Sequence, residues 1–153
     1  MQTRLASLVR TGLIIGACAT ASYDLSRWLL VHALSIDFNP FGAFPLFGWG
    51  IGGAQLTRSV AFVVGAVYHV INGLSFALSY CLLLGGGWSP WAVLWALSLE
   101  LVMFSVYPGW LNLKAVMVEF TIVSLTGHLA YGATLGLLSE RYIPQRGLRG
   151  DGV

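Results

Sequence analysis

The sequence predicts an all-α integral membrane protein. Four transmembrane helices form an up-down bundle with both termini cytoplasmic, and a long aromatic outer loop joins spans one and two. Three observations predict this. Of 153 residues, 57% are hydrophobic and 9% charged, with a mean hydropathy of +0.78, whereas a soluble domain carries about 25% charged residues. The apolar residues fall into four runs, each near the ~20 residues a spanning helix needs. The basic residues lie mainly at the two ends of the chain. Too few polar groups exist to cover a soluble globule, so residues 1–153 read as one membrane domain with lipid as its solvent.

The first span covers about residues 5–34 and is interrupted by Asp24 and Arg27. Arg4 and Arg10 followed by LIIGACATAS resemble the head of a signal peptide, and IGAC loosely resembles a lipoprotein cleavage site at Cys18. Against cleavage, WLLVHAL continues the apolar run well beyond that point. The second span covers 59–84, ahead of the turn Gly85-Gly86-Gly87. Ser89 as N-cap and Pro90 open the third, 90–107, which Tyr107-Pro108-Gly109 closes. The fourth covers 113–138, followed by a polar, basic tail over 139–153. Arg4, Arg10, Arg141, Arg146 and Arg149 fall on one side, against Arg27, Arg58 and Lys114 on the other. The positive-inside rule then puts both termini in the cytoplasm, and the chain in the cytoplasmic membrane.

The loop between spans one and two reads IDFNPFGAFPLFGWGIGG. Its prolines and glycines predict irregular backbone. Phe38, Phe41, Phe44 and Phe47 recur every third residue, which suits an interfacial aromatic belt or, alternatively, a lid over a hydrophobic ligand.

Dispersed basic residues and a net charge of +2 give no basic patch, so nucleic acid is not a partner. Cys18 and Cys81 lack metal-ligand spacing and read as buried small hydrophobes. The expected partners are the bilayer itself and further membrane subunits, either copies of this chain or others.

Spans two and four share H-x-x-[N/Y]-G-x-[S/T], at His69–Ser75 and His128–Thr134. Four-residue steps place Gly65, His69, Gly73 and Ala77 on one helix face, and Ser124, His128, Gly132 and Gly136 on another. Gly12, Gly16, Thr20 and Asp24 form a related stripe in the first span. Small residues mark faces where membrane helices approach closely, so Asp24, His69 and His128 should point into the bundle. The repeat suggests a duplicated hairpin, each copy supplying an acid and a histidine: Asp24 with His69, Glu100 with His128.

The candidate polar cluster is therefore Asp24, Arg27, His69, Asn72, Glu100, Glu119, His128 and Tyr131, in the outer half of the bundle. Glu119 and His128 are nine residues apart and face opposite ways on a straight helix. Ionisable groups at membrane depth default to a functional role. The leading reading is a non-enzymatic component or accessory subunit of a membrane complex, with the cluster joining helices. A small oligomeric transporter or proton relay is the alternative. A further one is a haem or divalent metal held by His69 and His128, with Asp24 and Glu100 completing a metal's ligands. An intramembrane enzyme using a His–carboxylate base comes last, since no G-x-S-x-G elbow accompanies the serines and no catalytic set can be named.

Overall fold

A computed structural model describes residues 2–84, 89–110 and 114–143. The Gly85-Gly86-Gly87 turn, Arg146 and Arg149 lie outside the described residues. Five α-helices follow in order: α1 (Gln2–Ala33), α2 (Ala43–Gly52), α3 (Arg58–Leu84), α4 (Ser89–Trp110) and α5 (Met117–Tyr142), the last preceded by a 3₁₀ turn at Lys114–Val116. No strand occurs among the described residues. Four of these helices are long and apolar enough to cross a membrane. Their outward faces carry large apolar side chains, including Val63, Leu101 and Val118.

Two boundaries differ from expectation. α4 continues through Pro108 to Trp110, since a proline in the last turn removes only one backbone bond. The last long helix starts at Met117 and ends at Tyr142, about one turn later than read, because the 3₁₀ turn takes up the preceding residues. The segment resembling a signal peptide is a core element: Ile15 and Ala19 are buried within α1. Cys81 is buried as expected, but Cys18 is exposed on the outer face of α1.

α1 packs on α3 and on α5, and α4 packs on α5, whereas α3 and α4 share no extended contact. The small-residue stripes set the closest approaches. Gly12 meets Cys81, Gly16 meets Ala77, Gly73 meets Thr20, and Asp24 meets His69. Each four-residue step up α1 thus matches a four-residue step back along α3, an antiparallel register. Gly132 packs on Val93 and Ala96 of α4, and Gly136 is buried.

The main correction concerns the aromatic loop, which contains the regular helix α2. Pro45 falls in its first turn, where no backbone donor is lost. α1 stops with Ser35 at φ 50° and a bond from Ile36 N to Val31 O, a Schellman-type end. Asn39 then turns the chain, its Oδ1 accepting from Phe41 N at 2.9 Å. Gly53, at φ 96°, closes the helix with a conformation that L side chains avoid. α2 lies tightly on α3: a Cβ on Gly48 would overlap Ala61 backbone, and one on Gly65 would overlap the Phe44 carbonyl. Gly65 therefore packs on α2. Phe44 and Phe47 are buried against Phe120, Tyr68 and Tyr107 instead of forming an outward belt.

Candidate functional site

Between α3 and α4, which share no extended contact, lies a cavity of about 280 Å³ lined by both. α1 and α5 form its back wall, through Thr20, Tyr23, Arg27, His128 and Tyr131. Above it, Phe47 of α2 touches both Tyr68 of α3 (5.4 Å between rings) and Tyr107 of α4 (5.1 Å). On the opposite side, Trp95 of α4 donates its indole N–H to the Phe76 carbonyl of α3 at 3.2 Å and meets the Phe76 ring in a tilted contact at 5.0 Å. Side chains thus bridge α3 and α4 at two levels and leave a lateral gap between them. Asn72 and Ser75 on α3 and Val102 on α4 border the cavity and are exposed on the bundle's outer surface, so they mark its mouth.

Two histidine–carboxylate pairs stand behind this mouth. His69 Nε2 lies 3.2 Å from Asp24 Oδ2. Asp24 Oδ1 lies 3.7 Å from Arg27 Nη1, one turn along α1. Arg27 also donates to the Pro40 carbonyl, tying α1 to the approach to α2, and its guanidinium sits over the Tyr23 ring at 4.7 Å. In the second pair, His128 Nδ1 lies 2.5 Å from Glu100 Oε2, which also accepts the Ser124 hydroxyl at 2.7 Å. This pair is nearly sealed, with side chains 5% and 6% exposed against 19% and 26% for His69 and Asp24. The ring of Tyr23 touches both imidazoles, at 5.5 Å from His69 and 4.9 Å from His128.

The structure brings Asp24, Arg27, His69, Glu100 and His128 together, with the partners anticipated from the stripes. Tyr131 joins them from α5 by donating its hydroxyl to the Gly73 carbonyl of α3 at 2.6 Å. Asn72 stands apart at the mouth. Glu119 is in the first turn of α5 and does not line the cavity; there its charge suits the positive end of the helix dipole.

The alternative of a metal held by Asp24, His69, Glu100 and His128 needs its four ligands in one group, and the structure does not place them so. Asp24, His69, Glu100 and His128 divide into two pairs, and among the described residues no three His, Cys, Asp or Glu side chains form a group that could hold a metal ion. Between His69 and His128 stands the Tyr23 ring, which lies against both imidazoles.

Tyr23 escaped the sequence reading although a signal was present. Gly16, Thr20, Tyr23 and Arg27 follow 4-3-4 spacing and share the inward face of α1, all four being buried. The eight aromatic side chains lining the cavity come from all five helices, so no local window displays them.

No family model matches this chain, and no curated protein or solved structure shows significant similarity to it. The functional reading therefore rests on the site alone.

Proposed function

We propose that the chain is a non-enzymatic component of the cytoplasmic membrane, with four up-down spans and both termini inside. In this reading it holds a lipid-soluble ligand in a chamber entered sideways from the bilayer. The observation that carries the proposal is the gap between α3 and α4: it leads from the lipid-facing surface at Ser75 and Val102 to His69, His128 and Tyr131. Two features support it. The lining is mainly aromatic and aliphatic, with a few convergent polar groups, as in most small-molecule sites. Arg27, His69 and His128 line this chamber, with Asp24 and Glu100 paired behind them, an arrangement that suits groups whose charge is costly in lipid. Tight packing of α2 on α3 makes α2 a roof, so entry runs between the helices.

The test has two parts. Reporters fused at either terminus should be active only in the cytoplasm, while one placed between α2 and α3 should be active outside. In lipid nanodiscs, an uncharged fluorescent amphiphile should bind saturably, and Ser75→Trp at the mouth should weaken it by about fivefold or more, the scale of about 1 kcal/mol. Unchanged binding in Ser75→Trp would refute the lateral route, and no saturable binding would refute the chamber's role.

A further inference from the structure

We infer that the ligand class is a neutral hydroxylated aromatic amphiphile, a phenol or hydroquinone bearing an apolar tail, held by a hydroxyl that donates to His69 Nδ1. This rests on the chamber reading above and adds the chemistry of recognition.

Charge comes first. Among the described residues, Arg27 is the one lysine or arginine lining the chamber, and it is already engaged. Its guanidinium meets Asp24, the Pro40 carbonyl and the face of Tyr23. Asp24 balances it, so no spare positive charge remains for a carboxylate or phosphate head. Glu100, 5% exposed beside His128, does not line the chamber, so its carboxylate is out of reach of a cationic head. A neutral head is therefore favoured, because an unpaired charge in so apolar a space is expensive.

Shape comes second. Tyr23, Phe44, Phe47, Tyr68, Phe120 and Tyr131 surround the space. Aromatic walls prefer offset or edge-on ring contacts. A volume of about 280 Å³ is at the low end for small-molecule sites, enough for a single-ring head. A longer tail would leave through the gap between α3 and α4 into the bilayer.

Hydrogen bonding comes third and separates the two histidines. Asp24 and Arg27 neutralise each other, so a neutral His69 keeps its triad neutral. With Nε2–H donated to Asp24 Oδ2, Nδ1 is left as an acceptor. His128 Nδ1 is held inside the protein, against Glu100 Oε2 and the Ser124 carbonyl. His69 therefore supplies the acceptor. A phenolic hydroxyl meets this requirement. An ether or ester supplies no proton to His69.

The experiment compares 4-nonylphenol with 4-nonylanisole, which differs by an O-methyl group, as competitors of the fluorescent amphiphile in nanodiscs, with affinities corrected for membrane partitioning. Wild-type protein is expected to prefer the phenol by about tenfold, since the ether leaves a buried acceptor unpaired. His69→Phe, which keeps a ring beside Tyr23 and Phe44, should abolish the preference, bringing phenol and anisole to equal affinity. His128→Phe should weaken both competitors alike. Equal wild-type affinities, or a preference that survives His69→Phe, would overturn the inference. The wild-type comparison requires no variant to fold. If neither competitor displaces a saturably bound amphiphile, this inference falls and the chamber stands; if the amphiphile itself does not bind, both fall.

Discussion

Gly65→Leu is expected to separate α2 from α3 and to give one of the two largest losses of stability from any single substitution in the chain. A Cβ at this position would run into the Phe44 carbonyl. That is backbone, which cannot swing aside as a side-chain tip can. Overpacking of this kind costs about 1–3 kcal/mol where the structure can shift, and here the whole of α2 must lift. Phe44 and Phe47 would lose their seats against His69, Tyr68 and Tyr107. The expected result is a fall of at least about 2 kcal/mol in unfolding free energy in mixed micelles, with new protease cleavage between Ile36 and Thr57. Gly109→Ala is the matched control, because a Cβ there meets nothing within 4 Å. Equal stability of Gly65→Leu and wild type would show that α2 does not pack as described.

The second large effect concerns the sealed pair. His128→Leu leaves the Glu100 carboxylate with Ser124 as its remaining polar contact, at 5% exposure of the residue. Breaking one partner of a buried pair costs about 3–5 kcal/mol, chiefly from the charge left behind, whereas replacing both partners by apolar residues of similar volume is often neutral. His128→Leu should therefore destabilise strongly, and the double variant Glu100→Met/His128→Leu should recover most of the loss. Equilibrium unfolding of the single and double variants measures this directly. A double variant as unstable as the single would mean that packing, not charge, holds α4 to α5 here. Asp24→Leu should cost less, since its side chain is 26% exposed and Arg27 retains the Pro40 carbonyl.

Much of the site was legible because helical spacing and close packing are both local. Four-residue steps of small residues in the first span and around His69 describe two complementary surfaces, and their antiparallel match brings Asp24 to His69. Glu100 and His128 meet by the same logic across α4 and α5. Less legible was what depends on a third element. Gly65 carries the same small-residue signal as Gly73, yet one faces α2 and the other α1; spacing cannot say which partner a small residue admits. The segment 36–53 looked irregular because proline and glycine counts were read without their positions. Pro45 is harmless in a first turn, and Gly48 is the contact itself. How the acids and histidines group depends on a third element in the same way. Tyr23, whose one-turn relation to Arg27 places it on the inward face, touches both imidazoles, and the acids and histidines close into two pairs.

The central claim is that this largely apolar chamber is reached from lipid between α3 and α4. Photolabelling in nanodiscs with an uncharged diazirine-bearing amphiphile, mapped by mass spectrometry, tests it most directly. The account predicts saturable adducts on Phe76, Leu99, Met103 and Tyr131, which line the cavity from three helices, and their loss in Ser75→Trp. Adducts confined to outward residues such as Leu25, Val63, Leu101 and Leu129, with none on the lining, would contradict it.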